Sequence, residues 1–346
     1  MKKKWFALLT AAVMMFGVTA CGNGAETSEA GVDASETEAQ GELEDFSIVL
    51  DWYPNAIHSF LYTAMEKGYF AEEGLNLVIQ FPANTNDGIS LPAAKKADVG
   101  MYYHQDAILT AAEEDVPIVS IGAVCQRDLN VVIALEESGI KGAKDLAGKK
   151  IGHAGTALSE AQIEAMLENA GLKADDTECI DVGFDLMSSL TTGQVDASIG
   201  NMVNHEVPQM EKEGFQVNYF YPTDYGTPTT YELVFLANAD AVKENPEKYQ
   251  AFLRACKKGF ADMKANPEES LQILLDNQNE ANFPLSEEVE KKSMEILLPA
   301  METEDGPFLH QEVEQWQKNA DWLKERGVIT KDVDVSKLMV NLLEEA

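Results

Sequence analysis

The sequence predicts an α/β protein of two lobes joined by a hinge, with a cleft between them, and three observations lead there. Strand-like and helix-like stretches alternate from Asp45 onward, the pattern of largely parallel sheets covered by helices. "GIKGAKDLAGKKIGHAG", residues 139–155, opens a second strand–helix series after a strand at 130–135, and "TTYELVFLAN", residues 229–238, later resumes a strand. An insertion with two crossings gives that arrangement, one large sheet being the alternative on pattern alone. From Pro246 the chain is almost wholly helical, with apolar residues at three- and four-residue spacing.

In chain order, "MKKKWFALLTAAVMMFGVTAC" comes first. Lys2, Lys3 and Lys4 form a basic start, and the apolar run from Trp5 to Val18 is short for a membrane span. Residues 1–20 therefore read as an export signal. Val18-Thr19-Ala20-Cys21-Gly22 resembles the bacterial lipobox, which implies acylation of Cys21 and a lipid anchor on the extracytoplasmic face of the cell membrane. Residues 22–44 hold seven acidic residues and no basic or aromatic one. Such a segment buries too little to offset its ordering entropy, so 21–44 reads as a self-repelling tether.

The body then begins near Asp45. Strands are expected at "FSIVL", "LNLVIQF", "ADVGMY", "PIVSIGAV", "NVVIAL", "KKIGHA", "ASIGNM", "QVNYFY" and "ELVFLAN", with helices at 59–67, 106–114, 159–170 and 185–192. No internal repeat of fixed period is visible. The lobes are read as 45–127 with 232–346, and 128–231. Beyond Cys21 the cysteines are Cys125, Cys179 and Cys256, an odd count without CxxC spacing. Both a single disulfide and buried free thiols are open.

Composition removes one class of partner. Lys and Arg number 26 against 59 Asp and Glu, a net charge of -33, and nucleic acid requires basic surface. Catalytic and cofactor signatures are also missing. There is no G-x-S-x-G elbow, nucleotide loop or zinc pattern, and His205-Glu206 has Gln209 where HExxH needs its second histidine. An enzyme is unsupported, and no cofactor is expected.

Four stretches carry candidate site residues. "VLDWYPNAIHSF" places Asp51, Trp52, Asn55 and His58 on a strand-to-helix turn, the end of a parallel sheet where ligands bind. Trp52 reads either as core or as a ligand-facing ring, and His58 as a structural or a site residue. "GHAGTALSEA" places Gly155 and Thr156 before a helix, read either as a plain capped helix or as one whose first amides suit an electronegative atom. "GNMVNHE" ends in Asn204 and Glu206, read either as a solvated helix start or as a carboxylate suited to an amine or ring nitrogen. "DYGTPTTYELV" sets Tyr225 and Tyr231 before the returning strand, where they would either line the cleft or pack.

Over residues 46 to about 330 these stretches resemble the solute-binding proteins of ABC importers, specifically the group that binds thiamine pyrimidine precursors. The resemblance rests on Asp51-Trp52-x-Pro54-Asn55-x-x-His58 followed by "EKGYFAEEGL", and on "GHAGTALSEA", "GFDLMSSLTTGQVDASIGNMVNHE" and "YGTPTTYELVFLAN". It implies a periplasmic-binding-protein-like fold of type II, a monomer that closes on a hydroxymethyl- or formylaminomethyl-pyrimidine and delivers it to permease and ATPase subunits. It also implies that Asn55 bonds the pyrimidine, that Trp52 and Tyr225 contact its ring, and that Glu206 meets the exocyclic amine. His58, Gly155, Thr156 and Tyr231 would complete the cleft, with Asp51 beside Asn55 giving polar direction. Met202, Val203 and Asn204 stand where relatives often carry aromatic residues, and Tyr102, Tyr103 and His104 at another strand end are the expected replacement. A riboflavin-like, sulfonate or nitrate-type solute is the alternative ligand, and a pyrimidine synthase-like enzyme the alternative activity.

Overall fold

The computed structural model describes residues 43–343 other than Thr85, Phe184 and 279–283. The export signal, Cys21 and nearly all of the acidic segment lie outside the described residues.

Strands β1 (Glu44–Val49), β2 (Leu75–Gln80), β3 (Val99–Tyr103) and β4 (Ile118–Ala123) come first. They are followed by β5 (Asn130–Leu135), β6 (Lys150–His153), β7 (Glu178–Asp181), β8 (Ala197–Met202), β9 (Val217–Phe220) and β10 (Leu233–Asn238). Among the described residues they form two five-stranded sheets, ordered β2-β1-β3-β10-β4 and β7-β6-β8-β5-β9. The two orders are the same winding, a repeat of architecture that the sequence does not display as a repeat of residues.

The sheets are largely parallel, as expected, with one antiparallel strand in each. β10 runs antiparallel to β3 and β4, and β5 antiparallel to β8 and β9. The pairs joined by helical crossovers are parallel, as β1 is to β2 and β3, and β6 to β7 and β8. β5 and β10 arrive instead from the opposite sheet, so no crossover fixes their direction. β10 is buried along its whole length, which is why "LVFLAN" reads as a continuous apolar run rather than an alternation. β7, "ECID", is the strand that sequence patterning misses, a four-residue edge strand with little burial.

The helices that matter for the site start where strands end. α1 (Ser59–Glu66) follows β1 through a 3₁₀ turn at Ala56–His58, and α2 (Tyr69–Glu72) follows it. α3 (Asp87–Ala93) lies against β3, α4 (His104–Glu114) follows β3 directly, and α5 (Ala157–Asn169) follows β6. α6 (Leu186–Thr191) and α7 (Glu206–Lys212) flank β8. After β10 come α8 (Ala239–Glu244), α9 (Pro246–Ala265), α10 (Pro267–Asp276), α11 (Glu287–Met301) and α12 (Val313–Glu325). α9 packs on α1 and on the first sheet, where Phe252 stacks on Phe46 at 4.6 Å between ring centroids. Offset aromatic pairs of this kind add roughly 0.5–1.5 kcal/mol beyond the area they bury. Cys125, Cys179 and Cys256 are free thiols. Among the described residues no helix is long and apolar enough to cross a membrane.

Candidate functional site

A cavity of about 300 Å³ opens at the carboxyl ends of β3, β6 and β8, beside the two segments that cross between the sheets. This is the strand end at which open α/β sheets hold ligands. Tyr102, Tyr103, His104, Gln105 and Asp106 line it from the β3–α4 junction, Thr156, Ser159 and Gln162 from the start of α5, and Gly200 and Met202 from β8. The crossings supply Asp128, Asn130, Thr230, Tyr231 and Glu232. None of the lining residues is Lys or Arg. A wider cleft of about 710 Å³ shares Asp128, Thr223 and Tyr231, but carries both signs of charge, with Arg127, Asp305 and Glu312 on its walls.

The crossings are laced to each other by carboxyl groups. Glu232 Oε2 accepts the N–H groups of Leu129 at 2.6 Å and Asn130 at 3.1 Å. In return, Asp128 Oδ1 accepts the Thr230 N–H at 3.1 Å. Burial pushes Asp128 up to about 8, with the Glu232 charge adding to it. Burial likewise raises Glu232 to about 7, against the two amides that favour its charged form, and raises Asp106 to about 6.

His104 is fully buried, its ring 4.2 Å from that of Trp316 and edge-on to it. Its Nδ1 lies 2.7 Å from Thr230 Oγ1, and that hydroxyl is also 3.2 Å from the Tyr231 carbonyl oxygen. Both bonds form at once only if Nδ1–H donates to the hydroxyl and the hydroxyl donates to the carbonyl, since a carbonyl only accepts. Nε2 is then a bare lone pair, and it has no hydrogen-bond partner. Burial lowers the ring to about 3 and keeps it neutral.

Of the residues singled out by sequence, His104, Thr156 and Tyr231 line this cavity, along with Tyr102, Tyr103 and Met202. Thr156 also caps α5, its Oγ1 accepting the Ser159 N–H at 3.1 Å. Gly155 beside it adopts φ +71, and a β-carbon there would meet the Asp181 carboxylate at 2.5–2.7 Å; only glycine suits both demands. The Tyr231 hydroxyl accepts the Glu312 N–H at 2.8 Å.

The Asp51–His58 turn lies beside the cavity, with its polar groups engaged locally. Asn55 Oδ1 accepts the Ile57 N–H at 3.1 Å and its amide nitrogen donates to the Tyr53 carbonyl. The Asn55 N–H donates to His58 Nδ1, which leaves Nε2–H of the buried imidazole to donate to Asp51 Oδ1 at 2.9 Å. Glu290 of α11, also buried, accepts the Ala56 N–H at 2.8 Å. Trp52 is 49% exposed, edge-on to Tyr53. Asp51 is near enough to help raise Tyr103 and Glu232, for which burial is the larger cause.

The remaining candidates face elsewhere. Glu206 turns back on its own loop, accepting the Met202 N–H at 2.6 Å and pairing with His205 Nδ1 at 3.1 Å. Burial alone would lower His205, but the Glu206 bond and charge, with Glu290 behind them, raise it. Asn204 donates to Ser293 Oγ of α11 at 3.0 Å. Tyr225 packs against Phe220 and the core of the second sheet. Asp106, Asp128 and Glu232 are the charged lining residues that sequence reading passed over. The available signal was position, since Asp128 and Glu232 stand at the two inferred crossings and Glu232 opens an otherwise apolar strand.

Comparison with known proteins gives consistent results. The family profile described as "NMT1/THI5 like" matches residues 55–270. The formylaminopyrimidine-binding protein of Halalkalibacterium halodurans is 43% identical over 304 residues, covering 86% of this chain and 91% of the relative. A protein of Haemophilus influenzae named for thiamine biosynthesis is 32% identical over 300 residues, covering 86% and 92%. The Saccharomyces cerevisiae 4-amino-5-hydroxymethyl-2-methylpyrimidine phosphate synthase THI5 is 27% identical over 256 residues, covering 70% and 74%. Among solved structures, the periplasmic aliphatic sulphonate binding protein SsuA of Escherichia coli superposes with TM-score 0.67 at 17% identity, covering 85% and 96%. The periplasmic nitrate-binding protein NrtA of Synechocystis PCC 6803 gives 0.62 at 16% identity, covering 86% of each chain. These likenesses establish the fold as the two-lobed, type II periplasmic-binding-protein architecture.

Proposed function

The chain belongs to the NMT1/THI5-like family, and on that premise we propose that it is the extracytoplasmic substrate-binding subunit of an ABC importer for a thiamine pyrimidine precursor. The ligand class follows from the cavity at the strand ends, which holds three carboxyl groups and neither Lys nor Arg. Such a wall suits an amine-bearing, planar heterocycle and offers no cation to hold an anion. It therefore favours the pyrimidine of the formylaminopyrimidine-binding relative over the sulfonate and nitrate ligands named for the structural neighbours. Binding, not turnover, is the proposed activity. The solute is held while the lobes 45–127 with 232–346 and 128–231 close, a population shift toward the form the permease accepts. Passage of the chain between sheets at 124–129 and again at 221–232 supports these boundaries.

Tryptophan fluorescence tests the reading. Beyond Cys21 the tryptophans are Trp52, half exposed at the turn, and the buried Trp316 and Trp322. Titration of the soluble body with hydroxymethyl- and formylaminomethyl-pyrimidine is expected to give saturable quenching, with no response to taurine, nitrate or riboflavin. In Trp52→Phe the Trp52 part is lost, while Trp316, against His104, continues to report. A response to taurine or nitrate alone would remove the pyrimidine reading. The lipid anchor is part of the same proposal. Cys21→Ser is expected to abolish incorporation of labelled fatty acid and move the protein from the membrane to the soluble fraction. Unchanged labelling would refute acylation at this cysteine.

A further inference from the structure

His104 offers Nε2 as a lone pair on a side chain with no exposure to solvent and no partner. Asp128 uses Oδ1 on Thr230 and leaves Oδ2 unbonded, and Glu232 uses Oε2 on two amides and leaves Oε1 unbonded. Asp106 adds a third carboxyl at the start of α4. No cationic side chain lines the cavity to satisfy these groups. Of these atoms His104 Nε2 is the one buried without a partner; such an acceptor is costly to leave unpaired, and a ligand that brings N–H groups recovers that cost.

We propose that His104 Nε2 and the carboxyl groups of Asp128 and Glu232 determine ligand specificity, selecting a 4-amino heterocycle over the 4-oxo heterocycle of the same shape. This rests on the reading that a pyrimidine occupies the cleft, and deepens it by naming the residues and the substituent they read. An aminopyrimidine presents two exocyclic N–H groups beside ring nitrogens that accept. A carboxyl group pairs with that edge through two parallel hydrogen bonds, its O–H to the ring nitrogen and the exocyclic N–H to its carbonyl oxygen. The second exocyclic N–H is left for a lone pair such as His104 Nε2. A 4-oxo ring carries a carbonyl oxygen in place of the amine and N–H at the ring nitrogen. To match that edge Asp128 must move its proton to the oxygen that already accepts the Thr230 N–H, and the fixed lone pair of His104 Nε2 meets the carbonyl oxygen. Because Asp128 and Glu232 stand on the two crossings, the substituent is read at the hinge itself.

The experiment is calorimetric titration with 4-amino-5-hydroxymethyl-2-methylpyrimidine and its 4-oxo analogue. The proteins are the wild type, Asp128→Asn, Glu232→Gln, His104→Asn and His104→Gln. Wild type is expected to prefer the amino compound by roughly 100-fold, the scale of one or two buried groups left unpaired. Asp128→Asn and Glu232→Gln keep an oxygen for the crossing amides but fix a donor, and should narrow the preference to about tenfold or less. His104→Asn keeps a group near Thr230 without the Nε2 acceptor and should narrow it too, while His104→Gln, which reaches the Nε2 position, restores part of it. If wild type shows the preference and the folded variants all keep it, the assignment of these residues is wrong and the functional reading stands. If wild type binds neither pyrimidine, both fall together.

Discussion

Adding one methyl group at Gly100 is expected to lower the unfolding free energy by about 3 kcal/mol or more, at the upper end of what overpacking costs. Gly100 lies in β3 and Gly88 in α3, and the two backbones meet without side chains between them. A β-carbon on residue 100 would fall deep inside contact with the Gly88 carbonyl oxygen, and within 2.7 and 2.9 Å of its carbonyl carbon and Cα. These are backbone atoms, so no rotamer relieves the clash. β3 cannot retreat, because it is held between β1 and β10. α3 would have to lift off the sheet, and the β3–α4 junction that presents His104 and Asp106 to the cavity would shift with it. Gly100→Ala should therefore unfold at markedly lower denaturant and bind pyrimidine weakly. A midpoint indistinguishable from wild type would show that α3 rides on β3 loosely.

The ligand-free body is expected to gain thermal stability as the pH falls from about 8.5 to about 6.5, by roughly 2–5 °C. Asp128 near 8 and Glu232 near 7 hold protons in the native state that the unfolded chain, with carboxyls near about 4, has already released. The stabilisation from such raised carboxyls is complete below the unfolded value and is lost as the pH rises through 7 and 8. His104 acts with the opposite sign. It is held neutral, with a folded value near 3, so its contribution is present above the unfolded value of about 6.5 and is lost as the pH falls below it. The chosen window thus excludes the opposing His104 contribution, and His205, raised against the effect of burial by its bond to Glu206, adds to the gain with the carboxyls. The net charge of -33 pushes the same way through self-repulsion, and Asp128→Asn separates the two. It removes one titrating group and the like charge beside Glu232, and should flatten the slope, whereas the surface term would persist. Differential scanning fluorimetry at both pH values decides it, and an unaltered slope in the variant would assign the effect to the surface.

Much of the fold was legible because apolar runs and turns mark it locally. "LVFLAN" announces a strand buried on both faces, and "PIVSIGAV" another. "ECID" did not, since an edge strand with charged ends that pairs only with β6 has no burial pattern to read. The α3 turn at Asp87–Ala93 was unread too, with Pro92 inside it and a glycine at its second position. The site was legible in place more than in detail. The sequence located the strand-end turns, but not whether Asn55 would spend its amide on a ligand or on its own cap, nor that Glu206 would fold back on Met202. Those choices are settled by distances of an ångström or two. Asp128 and Glu232 were invisible for a different reason. Each contacts backbone more than a hundred positions away, and no local pattern carries that information.

The placement of β4 has a consequence for the order in which the protein is built. Its ladder partner is β10, with Val119 opposite Ala237, and the whole of the second sheet is synthesised between them. As the chain grows, β5 to β9 have every strand of their own sheet at hand while β4 still waits with an open edge. Contacts this distant in sequence form late, since the loop must close before they repay its entropy. The second sheet is thus the early folder, and the first, although it begins first, finishes last, when β10 slides between β3 and β4.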